Sequence, residues 1–272
     1  MLDLTNTNYV PNMVIRTSER AAIMNIPHAT ASQILPVLTI VPVGKSGDAV
    51  LKRIKDMQGE MWPTIPVEIG EAIEPKPGES PNNVHIFLRS LRDRSSGFQN
   101  WQDFIEANSN LIPTLLIPKD THESSEIIPQ IDRFSGLGRG IVFKVKRRHV
   151  EANPAILDVY HSIIREIIRR GIQSEVLVVL DYGKIGNSET TQNWCTTTFE
   201  HIFHDNDPRN FRVSLAGTNF PDGFNGLYDE IRRVEIYERT LFENFLTQNR
   251  DTNAVFLYGD YASTRGEFRA LR

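Results

Sequence analysis

About eight short apolar runs of strand length recur along this 272-residue chain, and each is followed by a longer segment with helical spacing. Several runs are nearly continuous in Val, Ile and Leu, which is typical of parallel strands that are buried on both faces. Because parallel neighbours need a crossover element between them, the alternation predicts a parallel sheet. The runs cover Tyr9–Ile15, Ile34–Val41, Thr64–Ile69, Ile112–Ile117, Gly140–Val145, Glu175–Leu180, Phe211–Ala216 and Ala254–Tyr258.

The clearest helical segment between these runs is Ile156–Arg170, in which apolar residues recur every three or four positions. Charged residues, namely Arg165, Glu166, Arg169 and Arg170, occupy the opposite face, so the pattern predicts a helix that lies on a sheet. Gly171 follows its basic last turn, as expected at a helix C-terminus. Further helical patterns cover residues 48–57, 100–107, 190–203 and 228–248.

Eight such units favour closure into a TIM-like (β/α)8 barrel, with residues 1–272 as a single α/β domain. An open parallel α/β sheet is the alternative, because alternation alone does not distinguish the two. Only the tail 261–272 follows the last run, so we expect the C-terminal helix of the barrel to be incomplete. The segment 70–83 is rich in Pro, Gly and Glu, which predicts an exposed loop at the barrel mouth.

Charge and cysteine content narrow the class of protein. The net charge of −4 excludes a protein-wide basic field, so any contact with nucleic acid needs a local patch. Cys195 is the single cysteine and cannot form an internal disulfide. The longest apolar run, Ile34–Val43, contains prolines and falls short of the roughly 20 residues of a membrane helix. We therefore predict a cytoplasmic protein without membrane contact.

Three carboxylates stand at predicted strand ends, where the side chains of a barrel converge. Asp181 and Asp260 each follow a strongly apolar strand beside an aromatic residue and a glycine, and Glu68 lies near the end of the third strand. Carboxylates in such places bind a divalent cation or act as acid and base. We treat all three as candidate catalytic residues and the two aspartates as candidate metal ligands. The alternative is that each carboxylate caps a turn or pairs with a nearby Arg or Lys.

Basic and glycine residues occupy the same predicted rim. Side chains of Arg and Lys hold phosphate or carboxylate groups, and backbone amides near strand ends cradle phosphate. Alternatively, the glycines are ordinary turn residues and the basic side chains neutralise the aspartates. The candidate ligand-binding residues are Arg16, Lys144, Lys184, Gly217, Asn219 and Gly259.

Several short motifs in this order resemble the beta protein family, named for a beta protein of phage T4. They are Tyr9-Val-Pro11 with Arg16 and Glu19, Leu180-Asp-Tyr-Gly183, Ala216-Gly-Thr-Asn-Phe-Pro221, Arg233-Val-Glu235 and Leu257-Tyr-Gly-Asp-Tyr-Ala262. None is a catalytic signature. The resemblance implies a component of phage defence or of conflict between mobile elements. From this resemblance we expect Glu19, Arg233 and Glu235 to contact and position the site residues without binding the ligand themselves.

These observations lead to one main functional hypothesis and two alternatives. The first is an antiviral defence protein whose barrel mouth binds a phosphate-bearing ligand, either a nucleotide or nucleic acid. The second is a non-catalytic binding or regulatory subunit of a multi-protein defence complex. The third is a metal-dependent enzyme that cleaves phosphodiesters. A divalent cation is the one cofactor class that the pattern suggests, and another defence protein or a second copy of the chain is the expected partner.

Overall fold

Eight parallel strands form the sheet of this protein. The computed structural model describes residue 2 and residues 4–71, 73–75, 77–219 and 237–261. Each of the eight predicted runs overlaps a strand, although the ends differ by up to four residues. The strands are β1 Tyr9–Val14, β2 Val37–Ile40, β3 Ile65–Ile69, β4 Leu111–Pro113, β5 Ile141–Lys146, β6 Val176–Lys184, β7 Arg212–Thr218 and β8 Val255–Asp260.

Helices connect these strands. The predicted helix Ile156–Arg170 has the same bounds in the structure and ends at Gly171, which adopts a left-handed conformation with φ of 70°. The pattern at 228–248 is described only from Tyr237 onward. The helices are α1 Thr17–Met24, α2 His28–Ala31, α3 Gly47–Gln58, α4 Asn83–Leu91, α5 Gln99–Ala107, α6 Ile128–Gly136, α7 Arg147–Ala152, α8 Ile156–Arg170, α9 Ser188–Ile202 and α10 Tyr237–Asn249.

The strand order makes the sheet a barrel. It runs β4-β3-β2-β1-β8-β7-β6-β5, so β1 and β8, the first and last strands of the chain, are neighbours. Every pair of neighbouring strands in this order is parallel. A parallel bridge between Thr114 and Val142 joins the two remaining edges, and Leu115 N donates to Val142 O at 2.9 Å. The prediction of a (β/α)8 barrel is confirmed, and the open-sheet alternative is wrong. We call the β4–β5 junction the seam, because a single bridge closes it.

An apolar layer fills the barrel interior, and the start of the chain closes its lower end. Alternate residues of the strands supply this layer, together with Leu2 and Leu4. Leu2 N donates to Arg139 O at 2.7 Å. Gly140 has φ of 93°, and a Cβ at this position would lie 2.5 Å from the Leu2 Cβ. The strand members are Val10, Val37, Ile112, Val142, Leu177, Val179, Ala216 and Leu257.

The segment after β3 is only partly exposed. Residues 77–83 are exposed, but Gly70 and Ile73 are buried, because Gly70 N donates to Ile40 O at 2.8 Å and Ile73 joins the outer core. The tail 262–272, where the C-terminal helix was expected to be incomplete, lies outside the described residues. Within the part of the chain that the structure describes, no helix is both long and apolar enough to cross a membrane.

Candidate functional site

A buried polar layer lies directly above the apolar interior, toward the carboxyl ends of the strands. Since side chains alternate along a strand, residues two positions beyond the apolar layer also face the barrel axis. Most of the strands place a polar side chain there, and each of these residues is at most 5% exposed. The members are Asn12, Thr39, Glu68, Thr114 and Lys144.

Glu68 is the charged centre of this layer. Its Oε1 accepts hydrogen bonds from Lys144 Nζ at 2.6 Å and Thr39 Oγ1 at 2.7 Å, and its Oε2 lies 3.4 Å from Lys146 Nζ. Burial raises the pKa of Glu68, but the two lysines outweigh that effect and lower the pKa to about 2. Glu68 is therefore a permanent carboxylate at neutral pH. This geometry matches the alternative in which a carboxylate neutralises basic residues.

A second carboxylate, that of Glu71, contacts three basic side chains. Its Oε1 lies 2.8 Å from Arg148 Nη2, 3.0 Å from His149 Nε2 and 3.3 Å from Lys146 Nζ. Burial raises the pKa of Glu71, but the His149 hydrogen bond and the neighbouring Lys146 and Arg148 charges bring it well below its usual range. Burial lowers the pKa of His149, which favours the neutral ring.

Asp181 faces the barrel mouth at the end of β6. Its Oδ1 accepts a hydrogen bond from the Tyr261 hydroxyl at 2.6 Å and another from Gly183 N at 3.1 Å. Tyr261 is buried, and burial together with the Asp181 carboxylate raises its pKa well above the ordinary value. The tyrosine hydroxyl therefore stays protonated and orients the carboxylate.

Asp260 faces the opposite side of the sheet. A Cβ at the preceding Gly259 would point at Ser214 Oγ, inside the barrel. Because side chains alternate along a strand, the Asp260 side chain points outward. Asp260 Oδ1 accepts from the Tyr9 hydroxyl at 2.5 Å. The Tyr9 ring stacks on Tyr258, which packs against Phe242 of the outer helix α10.

The structure does not bring together the two aspartates that were expected to share a metal ion. Asp181 and Asp260 lie on opposite faces of the sheet, so one cation cannot bridge them. Among the described residues, no group of three or more His, Cys, Asp or Glu is placed to hold a metal ion.

The predicted glycines serve packing between strands and side chains. A Cβ at Gly217 would lie 1.9 Å from Tyr182 Cε2, and one at Gly259 would lie 2.5 Å from Ser214 Oγ. Asn219 N donates to Glu238 Oε1 at 2.5 Å, at the start of α10. These three residues and the exposed Arg16 do not line either cavity described below. Arg233 and Glu235 lie outside the described residues.

Lys184 lines a cavity of about 410 Å³ at the carboxyl ends of β5 and β6, which we call the β5–β6 cavity. Four basic residues contribute to its wall, namely Lys146, Arg147, Arg148 and Lys184. Two acidic residues, Glu151 and Asp181, also line it, so the charged side chains leave an excess of two positive charges.

The N-terminus of α9 borders the same cavity. Asn187 caps this 15-residue helix, and its side chain accepts from Thr190 N at 2.9 Å. Both residues line the cavity wall. The helix dipole adds positive potential at its N-terminus, where backbone amides favour anions.

A second cavity of about 220 Å³ opens at the seam, and we call it the seam cavity. Glu68, Glu71, Lys144 and Lys146 line it, together with Thr114 and residues of the β4–α6 connection. Lys146 lines both cavities, so they are neighbours across this side chain.

Glu19 lies behind β1, away from both cavities. It is 1% exposed, and its carboxylate accepts a hydrogen bond from Val14 N. Burial raises the pKa of Glu19 to about 7, although the Val14 amide and Arg16 act in the opposite direction. This hydrogen bond connects the first turn of α1 to the end of β1.

Replacing Glu19 with glutamine is expected to stabilise the protein at pH 8 but not at pH 4. The folded state binds the Glu19 proton more tightly than the unfolded chain, so stability is full below about pH 4.5 and falls as the pH rises through 7. A rise from 4.5 to about 7 corresponds to at most about 3 kcal/mol. Urea unfolding at both pH values measures the difference, with Glu243→Gln at an exposed site as the control. An equal effect of Glu19→Gln at the two pH values would contradict this assignment.

Sequence reasoning missed three contributors to the mouth. Glu71 lies in the segment after β3 that was expected to be exposed, and Tyr261 was grouped with the tail. Tyr261 lies two residues after Gly259 and therefore faces the same side of the strand, which is the signal that could have identified it. Asn187 stands three residues before Thr190 as an N-cap, which the sequence pattern also contained.

Comparison with known proteins agrees with the motifs found along the chain. The family model described as Beta protein matches residues 9–272. A curated relative, Protein beta of Enterobacteria phage P4, is 20% identical over 263 residues, which cover 95% of this chain and 67% of the relative. The source of this relative is phage P4 and not the phage T4 named above. Since the family model spans nearly the whole chain, the protein belongs to the Beta protein family.

Proposed function

We propose that the β5–β6 cavity binds a phosphate-bearing ligand, either a nucleotide or the end of a nucleic acid. The observation that carries the proposal is the meeting of four basic side chains with the N-terminus of α9 around one cavity. Charged hydrogen bonds from Arg and Lys and amides at a helix N-terminus both favour phosphate. The cavity volume of about 410 Å³ lies within the range of small-molecule sites.

Binding has more support than metal-dependent cleavage. The two aspartates that would share a cation lie on opposite faces of the sheet, and Glu68 is held by two lysines. A binding role without turnover therefore fits the described residues best. Asp181, oriented by Tyr261, supplies an acceptor in the cavity for a hydroxyl or amino group of the ligand.

The setting that we propose is antiviral defence in the cytoplasm, with a further defence protein as partner. The phage origin of the P4 relative supports a phage-related role. The defence setting is tested by the plating efficiency of phages on cells that express the protein. Equal plating with and without expression, across a panel of phages, would contradict it.

The double variant Arg148→Met and Lys184→Met is expected to weaken ATP binding at least tenfold. It removes two charged contacts from the β5–β6 cavity, and each such hydrogen bond contributes about 1.5 to 3 kcal/mol. Isothermal titration of the protein with ATP measures the change, and a control titration with adenosine shows whether the phosphates carry the affinity.

Arg169→Met is the matched control, because Arg169 pairs with Glu166 on α8 and lies outside both cavities. This variant is expected to bind ATP as the parent protein does. If the parent protein binds neither ATP nor inorganic pyrophosphate at low salt, the proposed function is wrong.

A further inference from the structure

Glu71 places one carboxylate oxygen against three basic side chains. Arg148, His149 and Lys146 all approach its Oε1 within 3.3 Å. Their nitrogens converge as they would around an oxygen of a bound phosphate. The Glu71 carboxylate therefore occupies the position that an anion would take among these three side chains.

This cluster stands between the two cavities of the mouth. Lys146 and Arg148 line the β5–β6 cavity, where the phosphate ligand is proposed to bind. Glu71 and His149 line the seam cavity on the other side. The same two cations therefore face Glu71 on one side and the proposed ligand on the other.

We infer that Glu71 is an internal anion that competes with the ligand for Lys146 and Arg148 and is released from them when a phosphate enters. This inference rests on the proposed function and adds a regulatory contact to the same site. Release of Glu71 would also leave Lys146, which lines both cavities, open to phosphate from either side. The site would then admit ligands with more than one phosphate more readily than a monophosphate.

The neighbouring carboxylate shows why Glu71 is the one that moves. Glu68 has a side chain that is 7% exposed, and it is held by Lys144 at 2.6 Å and by Thr39. The Glu71 side chain is 30% exposed and lies outside any helix or strand, so solvent can receive its carboxylate. Lys146 keeps Glu68 as a partner when Glu71 leaves, at 3.4 Å. Displacement therefore leaves no buried charge without a partner.

The test is the affinity of Glu71→Gln for inorganic pyrophosphate, measured by isothermal titration at constant ionic strength. Glutamine keeps the shape of the side chain and removes the competing charge. We expect binding at least tenfold tighter than that of the parent protein. Glu74→Gln is the control, because Glu74 lies three residues away, pairs with the exposed Arg89 and lines neither cavity. It should bind pyrophosphate as the parent protein does.

The outcomes separate this inference from the proposed function. Equal or weaker binding by Glu71→Gln, with clear binding by the parent protein, would overturn the inference and leave the proposed function standing. Measurable binding by the parent protein, with tighter binding by Glu71→Gln, would support both ideas. If neither protein binds, both ideas fail.

A measurement on the parent protein covers the case in which Glu71→Gln does not fold. Saturating pyrophosphate is expected to increase amide hydrogen exchange in the segment that carries Glu71, because its contact with α7 is lost. Unchanged or slower exchange in that segment, at ligand saturation, would overturn the inference.

Discussion

Replacing Lys144 with methionine is expected to destabilise the fold by about 3 to 5 kcal/mol. Lys144 has a side chain that is 1% exposed, and its Nζ lies 2.6 Å from Glu68 Oε1. Without this partner the buried Glu68 carboxylate keeps only Lys146 and Thr39, and a buried charge that loses its partner is costly. The free energy of unfolding in urea measures the loss.

Two further variants make this prediction specific. The double variant Glu68→Gln and Lys144→Met removes both charges, so it should recover most of the lost stability. Lys55→Met on the exposed face of α3 should change the free energy of unfolding by less than about 0.5 kcal/mol. A Lys144→Met protein as stable as the Lys55→Met protein would show that the Glu68–Lys144 pair contributes nothing.

Replacing Gly217 with alanine is expected to cost about 3 kcal/mol or more, or to prevent folding. An added Cβ would lie 1.9 Å from Tyr182 Cε2 and 2.5 Å from Gly183 O, and neither neighbour can move freely. The Tyr182 ring is buried, and the β6–β7 register shifts between Asp181 and Gly183 at this point. Overpacking of this kind forces side chains and backbone to shift. Soluble yield and urea unfolding measure the effect.

Gly136→Ala is the matched control for this substitution. Gly136 ends α6, and a Cβ there would meet nothing within 4 Å. Alanine is a better helix former than glycine, so this variant should be as stable as the parent protein or slightly more stable. A Gly217→Ala protein with the same stability as Gly136→Ala would contradict the packing role given to Gly217.

The fold was largely predictable because its elements are strongly patterned. Most strands are buried on both faces, so continuous Val, Ile and Leu runs such as Val176–Leu180 indicated them directly. Closure was not predictable in the same way, since it depends on the β1–β8 pairing and on one bridge between Thr114 and Val142. Those contacts join residues far apart in sequence, and local periodicity does not contain them.

The candidate site was predictable only in part, because the role of a residue at a strand end depends on which face of the sheet its side chain points to. Asp181 and Asp260 follow similar apolar strands, yet one points into the mouth and the other outward to Tyr9. Strands that are apolar on both faces do not reveal which residues face inward. Glu71 was missed for a different reason. Its importance comes from three basic neighbours on another part of the chain, and the composition of its own segment indicates only a loop.

The strand order divides the barrel into two half-barrels, β1–β4 and β5–β8, that meet at the β1–β8 pairing and at the seam. Lys144 and Lys146 belong to one half, and their carboxylate partners Glu68 and Glu71 belong to the other. Charge balance at the mouth is therefore completed only when the halves dock. A misaligned docking would bury lysines without partners, so these ion pairs penalise incorrect association of the two halves. The residues proposed to control ligand entry thus also enforce correct assembly of the barrel.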